Sequence, residues 1–240
     1  MADHIVSAFD LELKRLTSKL SEMGGRAESM VSDGVSALVR MDASLARDVV
    51  KQDLLLDTLQ REIDESAILT IAKQQPMAED LRMIISAIRI SNDLERIGDL
   101  AKNIARRVRS IEGQVHNMRY LNGMDRISDL SLAQLKDVLD AMTSRDSELA
   151  RAVWLKDDAV DNLYTSLFRE LLTYMMEDPR NITFCTHLLF CAKNIERIGD
   201  HATNIAETVM YMVTGQNVME GRTTRDEENV LPIKDGMNEA

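Results

Sequence analysis

The side chains in this sequence best placed to do chemistry are four pairs of acids, each pair four positions apart in a strongly helical stretch: Asp53 and Asp57, Glu95 and Asp99, Asp157 and Asp161, Glu196 and Asp200. That spacing puts both carboxylates of a pair on one helix face, where like charges repel. Gathered together without a counter-charge, such groups are unfavourable whether ionised or protonated, so an all-oxygen cluster is a place for hard cations. Mg²⁺, Ca²⁺ and Mn²⁺ fit the ligand chemistry, and iron or zinc can also be held by carboxylates. Asn103 and Asn204, one turn beyond Asp99 and Asp200, each offer an amide oxygen. His201 has no partner in the matching position, Leu100, and reads as a surface histidine before an accessory ligand. The ordinary alternative is that these acids are solvated helix faces paired with Arg96, Arg197, Lys51 or Lys156.

Recurrence argues for the first reading. Residues 93–105 read DLERIGDLAKNIA and residues 194–206 read NIERIGDHATNIA, identical at nine of thirteen positions and 101 residues apart. "DASLAR" from Asp42 is answered by "DSELAR" from Asp146, and "KQDLLLD" from Lys51 by "LKDDAVD" from Leu155, both at an offset of 104. The chain is therefore a tandem duplication. Inside the box, Gly98 and Gly199 sit mid-helix, where Gly costs ~1 kcal/mol against Ala, so something approaches each of them closely.

The elements that must position these acids are helices. Only three prolines and ten glycines punctuate 240 residues, and aromatics make up 4%, an all-helical composition. The periodicity predicts long helices at 3–40, 43–73, 79–111, 118–143, 146–177 and 181–214, with Gly24-Gly25 a potential break in the first. Asp42 and Asp146 are predicted caps, and Pro76 and Pro179 end one helix and open the next. In the third helix Ile90, Leu94, Ile97, Ala101, Ile104 and Val108 form a core stripe, while Leu81, Ile84, Ile85 and Ile88 start a second stripe that turns polar at Asn92, Glu95, Asp99 and Asn103. The second helix prolongs its acidic row through Gln60 and Asp64. If helices two and three are antiparallel neighbours, Asp53 lies level with Asp99 and Asp57 with Glu95.

The fold class is thus all-α, two tandem repeated antiparallel three-helix bundles: residues 1–111, residues 112–216, and a mobile acidic tail over 217–240. The bundles are either related by an approximate twofold or placed end to end. A net charge of −11 argues against a nucleic-acid partner. Cys185 and Cys191, six apart on one predicted helix, face different directions and read as small buried hydrophobes. No apolar run approaches the ~20 residues needed to span a bilayer, so the expectation is a cytoplasmic protein that meets membranes only through partners. Neither box contains Glu-x-x-His, and the chain has no phosphate loop, HExxH or nucleophile motif.

From "FDLELKRLTSKLSEMGG" through the two ERIGD boxes to "TNIAETVMYMVTG", the chain resembles the PhoU family of phosphate-transport accessory regulators over nearly its whole length. The resemblance implies two three-helix bundles, dimerisation, and metal ions (iron, zinc, magnesium or manganese) held through E(D)xxxD motifs, here Asp53/Asp57, Glu95/Asp99, Asp157/Asp161 and Glu196/Asp200. It further implies a non-enzymatic cytoplasmic adaptor that restrains phosphate-starvation signalling by linking the ATPase subunit of a phosphate ABC transporter to a sensor histidine kinase. Asp64 is mirrored by Phe168, so two metal sites need not be equivalent. The rival reading is a carboxylate-bridged metalloenzyme or metal-storage bundle, and a third is a purely structural scaffold.

Overall fold

The computed structural model describes residues 2–113, 118–121 and 123–216. The predicted tail over 217–240 lies outside the described residues. Among the described residues seven α-helices follow one another: α1 (Ala2–Arg40), α2 (Ala43–Gln74), α3 (Ala78–Ser110), α4 (Met124–Ser144), α5 (Ser147–Trp154), α6 (Asp157–Glu177) and α7 (Ile182–Thr214). Short 3-10 turns at Met118–Leu121 and Pro179–Asn181 precede α4 and α7. Among the described residues no helix is long and apolar enough to cross a membrane.

The first turn of each repeat is built the same way. Met41 and Arg145 adopt left-handed conformations, with φ of 53° and 55°. The next residue then returns a backbone hydrogen bond to the end of the preceding helix, Asp42 to Ala37 and Asp146 to Ala141. Each Asp then caps the new helix: Asp42 Oδ1 accepts from the amides of Ser44 and Leu45, and Asp146 Oδ1 from those of Glu148 and Leu149. A capping carboxylate satisfies two otherwise orphaned amides at the positive end of the helix dipole.

α1 runs unbroken through Gly24-Gly25. Gly25 faces open space, whereas a Cβ on Gly24 would stand 2.7 Å from Leu139 Cδ2 of α4, so this glycine seats one bundle against the other. The helix predicted over 146–177 is two helices, α5 and α6. At the break, the Lys156 carbonyl accepts from the Ala159 amide at 3.1 Å and also from Gln134 Nε2 of α4 at 3.1 Å, while Trp154 Nε1 is tied to Glu207 of α7 at 3.0 Å. A side chain inserted at a helical carbonyl is a recognised cause of a kink. α2, the counterpart of this region, is continuous.

The core stripe of α3 is buried as expected, from Ile90 to Val108, and of the second stripe Leu81 is exposed while Ile84 is fully buried. One hydrophobic core runs through both bundles, because α3 of the first lies along α7 of the second. Arg89 stands over the Tyr211 ring at 5.5 Å and Arg107 over Phe190 at 3.9 Å, while Asp93 meets His201 between them. Low numbers on α3 meet high numbers on α7, so the two helices are antiparallel. Phe190 is the repeat equivalent of Arg89, so matching positions of the two third helices sit at opposite ends of this antiparallel seam, which supports the twofold arrangement over the end-to-end one.

Candidate metal centre

In each bundle the acidic rows face one another across the groove between the repeat's second and third helices. In the first bundle the register of α2 against α3 is the one expected from counting back to the turn. Lys102 Nζ on α3 donates to Asp53 Oδ2 of α2 at 2.6 Å and to Asp99 Oδ1 at 2.5 Å. The side chains of Lys102 and Asp53 are only 15% and 13% exposed, so this is a largely enclosed bridge between helices. Burial works against the ammonium, but its hydrogen bonds to Asp53 and Asp99 outweigh that effect and hold its pKa above the ordinary lysine value. Beside it, burial and then the charges of Asp99 and Asp57 push the Glu95 carboxyl upward. Gln60 donates to Asn92 at 2.8 Å, and burial raises Asp64, whose Oδ1 has no hydrogen-bond partner.

The second bundle keeps the carboxylates and changes the counter-charge. Asp161 of α6 and Glu196 and Asp200 of α7 bring ligand oxygens within 4.8 Å of one another, and among the described residues no other His, Cys, Asp or Glu trio converges so closely. Oxygens on opposite sides of one ion at Mg²⁺ to Ca²⁺ bond lengths stand about 4–5 Å apart, so the trio has the right span. Glu196 is 8% exposed; its Oε1 accepts from Lys193 Nζ, while its Oε2 is buried without a partner. Burial raises the Glu196 carboxyl, and the charges of Asp200 and Asp161 add to it in spite of Lys193. Asp161 is raised by burial and then by Asp157 and Asp200. The fourth predicted ligand, Asp157, points to Thr203, whose Oγ1 donates to it at 2.9 Å.

The sequence reading missed the cations that matter. Of the bases it paired with these acids, Lys51 bonds Asp48 and Lys156 bonds Asp137, and Arg96 touches Glu95 and Asp99 only at 3.5 Å from an exposed position. Lys102 and Lys193 hold the carboxylates instead. The available signal was a mismatch in the duplicated box, where Lys102 stands opposite Thr203, and another just before it, where Asn92 stands opposite Lys193. His201 is neither a ligand of this cluster nor a surface group: at 17% exposure it pairs with Asp93 at 2.8 Å across the seam between bundles.

The two box glycines are sites of close approach, by side chains. A Cβ on Gly98 would come within 2.3 Å of Leu56 Cδ2, and one on Gly199 within 3.1 Å of Gln134 Oε1 and 3.6 Å of Val160. Leu56 and Val160 are repeat equivalents, so both glycines let the third helix of a bundle settle against the second and bring the acids of the two helices within reach. Cys185 and Cys191 are unpaired and buried, and burial drives the Cys191 thiol up to about 12, which agrees with their reading as core residues.

The PhoU domain family matches this chain twice, over residues 20–108 and 124–209. The chain is 58% identical over 228 residues to the phosphate-specific transport system accessory protein PhoU homolog of Rhizobium meliloti (strain 1021), covering 95% of this chain and 96% of that one. It is also similar to the crystal structure of PhoU from Pseudomonas aeruginosa, with 40% identity, a TM-score of 0.84, and coverage of 87% of this chain and 100% of that one. The crystal structure of the phosphate transport system regulatory protein PhoU from Streptococcus pneumoniae gives 29% identity and a TM-score of 0.80 over 88% of this chain and 99% of that one.

Proposed function

The chain belongs to the PhoU family, and from that premise we propose that it is a metal-binding cytoplasmic adaptor that negatively regulates the phosphate-starvation response and phosphate uptake. It couples the ATPase subunit of a phosphate ABC transporter to a sensor histidine kinase, acts as a homodimer, and reaches the membrane only through these partners. The observation that carries the reading is the near full-length, twofold match to relatives named as accessory and regulatory proteins of phosphate transport. A protein that performs no chemistry must act by differential binding, favouring the kinase-off arrangement when phosphate is plentiful.

Metal belongs in this proposal through Asp161, Glu196 and Asp200. Three converging carboxylates with a buried, unpartnered oxygen suit a hard cation, which supplies the positive charge that lets them remain ionised together. Glu196 and Asp200 on α7 and Asp161 on α6 would hold the ion, whose part would be structural: a charge shared between two helices that would stiffen this face of the second bundle.

Deletion of the gene in a strain without a second copy tests the regulatory reading. Phosphate-starvation genes should switch on in phosphate-rich medium, and pull-downs from wild-type cells should recover the transporter ATPase, the kinase, or both. Normal repression in the deletion strain overturns the reading and brings a carboxylate-bridged metalloenzyme or storage bundle forward.

A further inference from the structure

We propose that Lys102 is the resident cation of the first carboxylate cluster, so that the chain binds metal only in its second bundle, where Lys193 is a displaceable counter-ion of Glu196. This rests on the metal reading of that bundle. Equivalent atoms of the two repeats are held by different partners. Asp53 and Asp157 occupy matching places on the second helices of the two repeats, and each is contacted by the residue three positions after the box Asp. In the first bundle that residue is Lys102, which also takes Asp99; in the second it is Thr203, which is neutral and satisfies Asp157 alone. Asp200, the counterpart of Asp99, stands in the convergent trio with Asp161 and Glu196. A metal ion in the first cluster would have to expel an ammonium held by carboxylates of two helices and only 15% exposed.

Lys193 is held differently. It lies one turn before Glu196 on the same helix, its side chain is 46% exposed, and its ammonium stands 5.2 Å over the Tyr164 ring at the edge of the site. Such a side chain can swing into water from its own helix, and an arriving cation takes over its charge on Glu196, so the exchange leaves no buried carboxylate uncompensated. The second observation pointing to a ligand is Glu196 itself, nine-tenths buried with one carboxylate oxygen unmatched. Each repeat thus carries one lysine on its acids, built in at one end of the box in the first copy and removable at the other end in the second.

The test is Mn²⁺ binding by chelator-stripped full-length protein, read as manganese per chain after equilibrium dialysis, with helix content followed by circular dichroism. Lys102→Thr, which copies the second site into the first, should raise bound Mn²⁺ about twofold, and Lys102→Arg, which keeps the charge, should leave it unchanged. The reciprocal Thr203→Lys should weaken binding about tenfold or more, and Lys193→Met should strengthen it. If Lys102→Thr does not fold without metal, Lys102→Arg and Thr203→Lys decide the matter alone. The proposal fails, with the metal reading intact, if wild type loses as much Mn²⁺ from Glu95→Ala/Asp99→Ala as from Glu196→Ala/Asp200→Ala. It also fails if Thr203→Lys binds Mn²⁺ like wild type. Absence of Mn²⁺ from wild type and from Lys102→Thr alike would overturn both this proposal and the metal reading.

Discussion

The two carboxylate clusters stand on nearly the same scaffold and differ in what neutralises them. Both have an Asp-capped second helix, a third helix seated through a glycine, and facing rows of acids. In the first bundle a lysine from α3 crosses to α2 and closes the cluster internally. In the second a threonine occupies that place, the helix facing the acids is broken at Leu155-Lys156, and the oxygens converge. Both repeats keep their turns and packing because each is fixed by local geometry, whereas one side-chain charge at one register position decides whether the facing acids are bridged by a lysine of the third helix.

Removing the charge that distinguishes the clusters should have the largest effect on stability. Lys102→Met leaves Asp53 and Asp99 facing each other in a largely buried groove and should destabilise metal-free protein by about 2–3 kcal/mol, less than a fully buried pair loses because Asp99 is still partly hydrated. Thr203→Val should cost only about 1 kcal/mol, since one hydrogen bond to Asp157 is lost. Urea titration of both variants in chelator measures the difference; equal losses would dissolve the distinction between the clusters.

The glycines sharpen the comparison from the packing side. Gly98→Ala gains helix propensity but drives a methyl into fully buried Leu56, and the net result should be a loss of about 1–2 kcal/mol. At Gly199 the nearest atom is the Gln134 amide oxygen at 3.1 Å, a shift of a few tenths of an ångström where Gly98 demands far more, so Gly199→Ala should fall within about 1 kcal/mol of wild type. Thermal melts of the single variants check both, and a raised midpoint at Gly98 would contradict the close approach. Where the scaffold is symmetric the response should be too: Asp42→Ala and Asp146→Ala each remove one cap and should each cost about 1 kcal/mol.

The smallest expected effect is on pH dependence. Glu196 is faced by Lys193, Asp200 and Asp161, and it and Asp161 hold their protons more tightly folded than unfolded. Between ordinary carboxylate values and these raised ones the folded state carries more protons, so metal-free stability falls as pH rises through that window and is regained on acidification. Lys102 works in the opposite sense: with its pKa held high, its contribution is complete below the ordinary lysine value and is lost only as pH rises through the folded one. Glu196→Gln should flatten the acid-side change in midpoint; an unaltered profile would mean that the second cluster does not set it.

What the sequence made legible was whatever depends on near neighbours. The helices, the caps at Asp42 and Asp146, the buried stripe of α3 and the acidic rows at i and i+4 all follow from spacings within one or two turns. What escaped depends on contacts between elements. The α5–α6 break is held by Gln134, more than twenty positions away, and His201 finds Asp93 from the other bundle. Lys102 was visible as a mismatch in the duplicated box, yet only the crossing of α3 over α2 makes it the partner of Asp53. Nothing in the spacing could rank it above Lys51, which is closer in sequence and bonds Asp48 instead.

The central claim, that one bundle holds metal where the other holds a lysine, is tested most directly by anomalous diffraction at the manganese edge from crystals of the full-length protein grown with Mn²⁺. The account predicts density bounded by Asp161, Glu196 and Asp200, with Lys193 turned away, and an ammonium still bridging Asp53 and Asp99 in the first bundle. Equal anomalous peaks in both clusters, or a peak in the first bundle with Lys102 displaced, would contradict it.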